Sequence, residues 1–516
     1  MKAADLPLYY NAVDILERNL ARRAHKTALL SVEREATFGE ISSEANRVGN
    51  ALKGLGIHFG ECVAILALDS VEWVTSYFGT IKIGGVALGL NTLLTPGEYE
   101  HMLKDSRARV LIVHEALRER VAEIRAEALP FLEHVVVIGD AKHEGDLSFA
   151  NWIGDASPEL AAAPTHRDDI CCLNYSSGTT GEPKGIPHAH KDLPLTAQLW
   201  GQNILGITEN DRTFAGAKLF FTFGTGGNLI FPWYAGASAV LLSGPPRIVD
   251  NVLGTVDRFK PTILYNAPTG YAATLAMEGF QEKYDLSSLR ICVSAGEALP
   301  APLWQRWKQA TGLDIIDGIG STENYHIFLS NRPADIRPGS SGKPFPGYEV
   351  RLSGDDGTEV PQGEIGNLWV RGETSALNYL HLFEQSRRTF RGEWLVTGDK
   401  YYRDEDGYYW HAGRSDDMLK VGGIWVSPVE VESTLISHEA VLECAVVGER
   451  DSADLVKPVA FVVTKEGVSA DDALAAALIE YSREKMASYK RPRRIAFVTE
   501  LPKTATGKIQ RFKLRG

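Results

Sequence analysis

The chain has 516 residues, more than one hydrophobic core usually spans, so two or more domains are expected. Hydrophobic residues make up 44% and charged residues 23%, the balance of a soluble globular protein, and 49 glycines suit loops that wrap ligands closely. The formal net charge of −12 argues against a sequence-independent hold on nucleic acid, although a few local Lys and Arg would still suffice for phosphate ligands.

The N-terminal stretch MKAADLPLYYNAVDILERNL interleaves charges with apolar residues and lacks the apolar run of a signal peptide. Further on, SEANRVGNALKGLGI reads as an amphipathic helix with Ala45, Val48, Leu52 and Leu55 near one face. CVAILAL (62–68) and VLIVHE (110–115) read as buried strands, and this alternation predicts α/β layers. From Leu219 to Gly244 there is no charge, which is long enough to cross a bilayer. Gly224, Gly226, Gly227, Pro232 and Gly236 interrupt it, so the better reading is a buried helix and strand beside a ligand pocket, with no membrane contact. Residues 346–412 carry short strands between turn signals and predict a β-rich subdomain. Past the polar turn GRSDD (413–417), SPVEVESTLISH reads as a helix capped by Ser427 and Pro428. LECAVVGE and PVAFVVTKE read as strands, and DDALAAALIEYSREKM as a second helix. The boundary is placed at Asp416, giving domains 1–415 and 416–516. Five cysteines, Cys62, Cys171, Cys172, Cys292 and Cys444, show no CxxC or metal-like spacing and suit a reducing cytoplasmic compartment.

Five stretches carry candidate chemistry. Tyr175-Ser-Ser-Gly-Thr-Thr-Gly-Glu-Pro-Lys-Gly185 packs hydroxyls, glycines and Lys184 into a short run in which backbone N–H groups can converge on an anion. It is not a Walker loop, because Gly-Lys-Ser/Thr is missing. Asp317-Gly-Ile-Gly-Ser-Thr-Glu323 offers the Thr322 hydroxyl and, at Glu323, a hard oxygen ligand for Mg²⁺. Thr397-Gly-Asp399 places a carboxylate after a turn, suited to ribose hydroxyls. Gly413-Arg-Ser-Asp-Asp417 sets Arg414 beside two acids, and Pro502-Lys-Thr-Ala-Thr-Gly-Lys508 is a basic loop near the C-terminus. Alone, the second reads equally well as a strand-ending turn, the first reads less readily as a surface turn, and each of the last three reads first as a solvated loop. The HAH pair, His188 and His190, reads as alternating strand or loop positions rather than a metal site. The basic run Lys490, Arg491, Arg493 and Arg494 reads as a solvated face, with the 3′-phosphate of CoA as the functional alternative.

In this order and spacing the five stretches resemble the adenylate-forming superfamily of acyl-CoA ligases, luciferases and peptide-synthetase adenylation domains, over essentially the whole chain. The residues AKLFFTFG (217–224), APTGYA (267–272), SAGEALP (294–300), DGIGSTENYHIFLSN (317–331), AGRSDDMLKVGGIWVSPVEVE (412–432) and LPKTATGKIQRFKLR (501–515) narrow the resemblance to the benzoate-CoA ligase branch, including aminobenzoate and hydroxybenzoate ligases.

The resemblance implies an α/β fold in which a large multi-layer N-terminal domain, with its β-rich subdomain, holds ATP and the acid, and a small α+β C-terminal domain swings between two half-reactions. It implies an ATP-dependent, Mg²⁺-assisted activation of an aromatic carboxylic acid, followed by transfer to coenzyme A. Ser176, Ser177, Gly178, Thr179, Thr180 and Lys184 are then expected to embrace the β- and γ-phosphates. Ala295, Gly296 and Glu297 are expected along the adenine, with Asp317 and Gly318 at its amino end. Thr322 is expected at the α-phosphate, Glu323 on Mg²⁺, and Asp399 and Arg414 on the ribose. Lys508 is expected to reach the acid carboxylate and the α-phosphate, because two anions must meet while charge builds on phosphorus. Asp416 matches the hinge, and Lys420, Gly422 and Gly423 are expected at the site after rotation. Phe221, Thr222, Phe223, Gly320, His326 and Ile327 are expected to line the acid pocket, with plain core packing as the bland reading of the phenylalanines.

Three departures stand out. Ile319 replaces a tyrosine that many relatives stack on adenine, and Phe221 replaces a gate histidine. Thr222-Phe223 stands where benzoate ligases often carry Ala-Tyr, which points to a substituted ring. Rival readings are an adenylator of fatty or arylacetic acids, one that loads a carrier protein instead of CoA, and a non-catalytic adenylate-binding module. A homodimer is the assembly considered.

Overall fold

The computed structural model of the chain describes residues 1–515 except 125, 142, 177–181, 243, 247, 416, 422–423, 452–454 and 504–508, and the side chains of 126, 420, 424 and 425. The longest N-terminal helix, Phe38–Gly54, starts where Thr37 and Glu40 satisfy each other. Thr37 Oγ1 accepts the Glu40 amide at 3.2 Å, and Glu40 Oε2 accepts the Thr37 amide at 2.8 Å. Its apolar face buries Phe38, Ile41, Ala45, Val48 and Leu52, as the spacing predicts, while Leu55 falls one residue past the helix as its cap. The helix packs on Val71–Lys82, capped by Ser70.

Among the described residues the N-terminal part holds two large sheets. The first runs in the order Leu147–Ser148, His134–Ile138, Val110–His114, Cys62–Leu66, Val86–Gly89, Ile170–Ser176 and Lys184–Ala189, parallel until the last pair. The second runs Lys343–Pro344, Ile327–Ser330, Ile315–Gly320, Ile291–Ser294, Ile263–Asn266, Arg212–Ala215, Ser238–Val240, Thr27–Leu30 and Glu35–Thr37. It is parallel in its interior and antiparallel at both edges. Continuous apolar strands such as Cys62–Leu66, buried along their whole length, are what a parallel sheet covered on both faces requires.

The uncharged stretch 219–244 folds as Thr222–Thr225, a π-helical turn Gly226–Ile230, the helix Phe231–Ala235 and the strand Ser238–Val240. No helix among the described residues is long and apolar enough to cross a membrane. The β-rich subdomain forms Tyr348–Ser353, Gly366–Gly372, Trp394–Arg403, Phe390–Arg391 and Tyr409–Arg414 as one antiparallel sheet. Beyond it, Leu419–Val421 pairs with Ile424–Val426. The helix Pro428–Ile436, capped by Ser427, and the helix Asp472–Lys485 accompany a sheet of Val441–Arg450, Val456–Thr464 and Arg494–Phe497. These C-terminal elements share their own apolar cluster of Leu419, Val431, Leu435, Val446, Val462 and Leu478.

Four adjacent parallel strands, Arg212–Ala215, Ile263–Asn266, Ile291–Ser294 and Ile315–Gly320, are followed at their carboxyl ends by the four motif segments 217–224, 267–272, 294–300 and 320–323. Open α/β sheets bind ligands at that edge. Thr37→Ala should destabilise the N-terminal domain by about 1 kcal/mol, the usual cost of a lost N-cap. Hydrogen exchange of the first turn of Phe38–Gly54 measures it, and unaltered protection there would show that the cap contributes nothing.

Candidate active site

The phosphate-loop candidate is the connection of an antiparallel hairpin in which Ser176 and Lys184 stand opposite each other. Ser177, Gly178, Thr179 and Thr180 lie outside the described residues, as do Asp416, Gly422, Gly423 and Lys508 and the side chain of Lys420. The hairpin base is fixed from one side by Tyr175, whose hydroxyl donates to Asp105 Oδ2 at 2.6 Å. On the other side, Lys184 Nζ lies 5.1 Å from the centre of the Tyr379 ring.

The turn that follows Ile315–Gly320 is held on three sides. Tyr379 donates to Glu323 Oε1 at 2.8 Å, and the Ala376 amide donates to the Glu323 carbonyl at 2.7 Å. Ser375 Oγ donates to Asn324 Oδ1 at 2.6 Å. Third, His188 lies beneath, with Nδ1 3.0 Å from Asp192 Oδ2 and Nε2 2.7 Å from the Thr322 carbonyl. Both partners accept, so both ring nitrogens donate and the ring is an imidazolium. Burial pushes its pKa down, but the Asp192 carboxylate, Cys172 and the Thr322 carbonyl outweigh it and the value ends above the usual one. Burial lifts the Asp192 carboxyl too, yet its Oδ2 takes a second donor, the Ala189 amide at 2.9 Å, an arrangement that a carboxylate satisfies. His190, the other member of HAH, accepts the Ala12 amide at 2.9 Å and serves packing.

The sheet edge also gathers the other expected residues. Ala295 is buried beside Asp317, on neighbouring strands that pair Ser294 with Asp317. Burial raises the Asp317 carboxyl well above its usual range, against the Ser294 hydroxyl and the Gly318 amide. Its Oδ1 has no hydrogen-bond partner among the described residues, which suits a polar ligand edge. Asp399 and Arg414 face each other across paired strands with 3.4 Å between Oδ1 and Nη1. Among the described residues no group of three or more His, Cys, Asp or Glu could hold a metal ion. Glu323, a single carboxylate oriented by Tyr379, fits Mg²⁺, which keeps waters and shares phosphate oxygens rather than taking an all-protein cage.

Of the acid-pocket residues, Phe223 and His326 stack at 5.5 Å and 28°. Trp200 at 5.3 Å and Phe231 at 4.6 Å close on the same imidazole. Two glycines make room. A Cβ on Gly226 would lie 2.6 Å from His326 Cδ2, and one on Gly320 would lie 2.5 Å from the His326 carbonyl oxygen. Neither His326 ring nitrogen has a hydrogen-bond partner among the described residues, and burial lowers its pKa to about 3, against a weaker pull from the Phe223 backbone. Thr222 is nearly buried, while Thr225 rather than Thr222 bonds the Phe221 carbonyl, at 3.0 Å. Phe221 leans on Phe220 with centroids 4.4 Å apart, and Ile327 is packed into the main core. Tyr379, Trp200 and Asp105 were not anticipated. They sit in segments without glycine or hydroxyl clusters, so only their place in the fold reveals them.

These side chains gather along the carboxyl-terminal edge of the second sheet. The profile of the AMP-binding enzyme family matches residues 16–380, and that of the AMP-binding enzyme C-terminal domain matches 430–508. The chain belongs to the AMP-binding enzyme family. It is 48% identical to a benzoate-CoA ligase of Thauera aromatica, covering 99% of this chain and 97% of that one. Among solved structures it resembles the anthranilate CoA ligase AuaEII in complex with anthranoyl-AMP, with 68% identity, a TM-score of 0.97 and coverage of 100% and 98%. It also resembles a benzoate CoA ligase from Burkholderia xenovorans LB400, with 43% identity, a TM-score of 0.91 and coverage of 98% and 100%.

The neutral, buried His326 sets a pH dependence. Below about pH 6.5 the unfolded chain protonates this imidazole, whereas the folded chain refuses the proton until about pH 3. Its contribution is complete above the unfolded value and is lost as pH falls through that window. Between pH 6.5 and 5 the wild type should lose about 2 kcal/mol more stability than His326→Gln, at about 1.36 kcal/mol per unit. Urea unfolding at both pH values measures this, and parallel losses would place a charged imidazole in the fold.

Proposed function

We propose that this chain is an AMP-forming aryl acid-CoA ligase. It joins an aromatic carboxylic acid to ATP with release of pyrophosphate, and then passes the acyl group from the adenylate to the thiol of coenzyme A with release of AMP. The observation that carries the aryl preference is the ring wall of Phe223 and His326, backed by Trp200 and Phe231, beside the turn of Thr322 and Glu323. A wall of flat rings takes an aromatic ring in edge or stacked contact.

In the first half-reaction Ser176, the loop 177–180 and Lys184 hold the β- and γ-phosphates, and Thr322 fixes the α-phosphate. Ala295, Gly296, Glu297, Asp317 and Gly318 frame the adenine, and Asp399 and Arg414 hold the ribose. Lys508 draws the acid carboxylate to the phosphorus. Glu323 would hold Mg²⁺, which would supply neutralising charge to the triphosphate. The chain divides at Asp416 into domains 1–415 and 416–516, and rotation there exchanges Lys508 for Lys420 with the paired Gly422 and Gly423, a narrow passage for the pantetheine arm. Pyrophosphate release across aryl and alkyl acids, with and without CoA, tests the whole reading. Lys508→Ala should slow adenylation roughly a hundredfold to a thousandfold, the cost of one preorganised donor, while conversion of supplied adenylate to thioester survives. A fast alkyl acid, or release that needs a carrier protein, would replace this reading with a rival.

Among aryl acids, we propose a ring bearing a small polar substituent, 2-amino above all. Thr222 brings a hydroxyl and His326 brings a donor and an acceptor that have no hydrogen-bond partner among the described residues, and a buried polar group left unpaired costs about 1–3 kcal/mol. An ortho amine answers both. Thr222→Ala should narrow the preference for 2-aminobenzoate over benzoate by up to about tenfold, or about 1.4 kcal/mol. Unchanged acid preferences in that variant would mean that Thr222 never meets the substrate.

A further inference from the structure

A short segment bridges two of the elements proposed for the triphosphate. Between the strand Gly366–Gly372 and the helix Phe383–Thr389, residues 374–380 cross from the turn of Thr322 to Asn324 to the strand Lys184–Ala189. Thr374 Oγ1 donates to the Asn324 carbonyl at 3.1 Å, and the Leu380 amide donates to the Gly185 carbonyl at 2.8 Å, so the segment is pinned to backbone at both ends. Tyr379 lies between the pins and is 5% exposed. Its amide donates to Ser386 Oγ at 2.9 Å. Its ring packs on Phe390 with centroids 5.2 Å apart, and it shares a small apolar cluster with Ile186 and Ala376.

This one side chain meets two charges. Its hydroxyl donates to Glu323 Oε1 at 2.8 Å, and its ring centre lies 5.1 Å from Lys184 Nζ. An ionised carboxylate only accepts, so the tyrosine supplies the proton, commits one oxygen and fixes the direction of the other. A ring face attracts a cation, more strongly where water is excluded. Packing alone would be served by a phenylalanine, as it is at Phe390. What the hydroxyl adds is the orientation of a single carboxylate, and carboxylates that bind metals are themselves held by hydrogen bonds in this way.

This step rests on the reading of Glu323 as the residue that would hold Mg²⁺. We infer that Tyr379 is a positioning residue for both charges of the triphosphate site: its hydroxyl fixes the Glu323 carboxylate for a divalent cation, and its ring seats the Lys184 ammonium. The test is calorimetric binding of α,β-methylene ATP to the full chain, with and without saturating Mg²⁺. Tyr379→Phe keeps the ring and loses the hydroxyl. It should bind the metal-free analogue as the wild type does and the Mg²⁺ form roughly tenfold more weakly. Tyr379→Leu removes the ring as well and should also weaken the metal-free analogue, by about twofold to fivefold. Glu323→Gln should weaken the Mg²⁺ form at least as much as Tyr379→Phe, and the two together should cost no more than Glu323→Gln alone, because the hydroxyl acts through that carboxylate. If Tyr379→Leu fails to fold, Tyr379→Phe decides. Equal weakening of both forms in Tyr379→Phe, no weakening, or losses that multiply in the double variant would overturn the inference, and an unchanged metal-free affinity in a folded Tyr379→Leu would overturn the part given to the ring. If Glu323→Gln binds the Mg²⁺ form as tightly as the wild type, the reading beneath falls instead, and that control separates the two failures.

Discussion

The site depends on one buried contact between the two large sheets. His188 belongs to the strand Lys184–Ala189 of the first, and Thr322 follows the strand Ile315–Gly320 of the second. The imidazolium joins them by donating to Asp192 on one side and to the Thr322 carbonyl on the other. A charge in such a place is tolerated only with its partners, and a lost partner would leave it exposed to the low dielectric of the core. The contact also holds strain. Tyr325 takes φ 67° and ψ −43°, a conformation costly for a side-chain residue, and its ring packs edge-on against His188 with centroids 5.2 Å apart. The short turn of Thr322 to Asn324 is thus tied to the first sheet, through the same strand that begins at Lys184. The positions of the turn and of that strand are therefore set by one another rather than by their own sequences.

That arrangement explains what could be read from the residues alone. Elements that carry their own signals were legible. Thr37 and Glu40 announce the helix Phe38–Gly54, Ser427 announces Pro428–Ile436, and the glycines and proline of 219–244 announce a broken, buried path. The order of strands was not legible, because neighbours in a parallel sheet are distant in sequence and their pairing depends on packing across the whole layer. The motif residues announced chemistry, and the fold brings Ala295, Asp317, Thr322 and Glu323 to the ends of two adjacent strands. The supports of those residues were silent. Tyr379 is 56 positions from the Glu323 it orients, and nothing in ALNYL marks it. His188 was read as a strand position, which it is, and its second task appears only once Thr322 is seen above it.

The same construction anchors the segment 217–230 and the turn of Thr322 and Glu323 at separate points. The gate segment hangs from the strand Arg212–Ala215. It is fastened at its base, where Asp69 Oδ1 accepts the Leu219 amide at 3.1 Å and Lys218 reaches the Leu242 carbonyl. The π-helical turn Gly226–Ile230 then carries Gly226 against His326, so the ring wall is assembled from the gate side and from the strand Ile327–Ser330 together. The turn of Thr322 and Glu323 is fastened elsewhere, by His188, Tyr379 and Ala376. A change at Thr222 or Phe223 alters what the wall contacts without a direct path to Glu323, whereas a change at Gly320 reaches both, because its missing Cβ is what lets the His326 carbonyl approach to 2.5 Å of that position. Gly320 is the point where the ring wall and the turn of Thr322 and Glu323 share an atom's width of space, so a side chain there would move both.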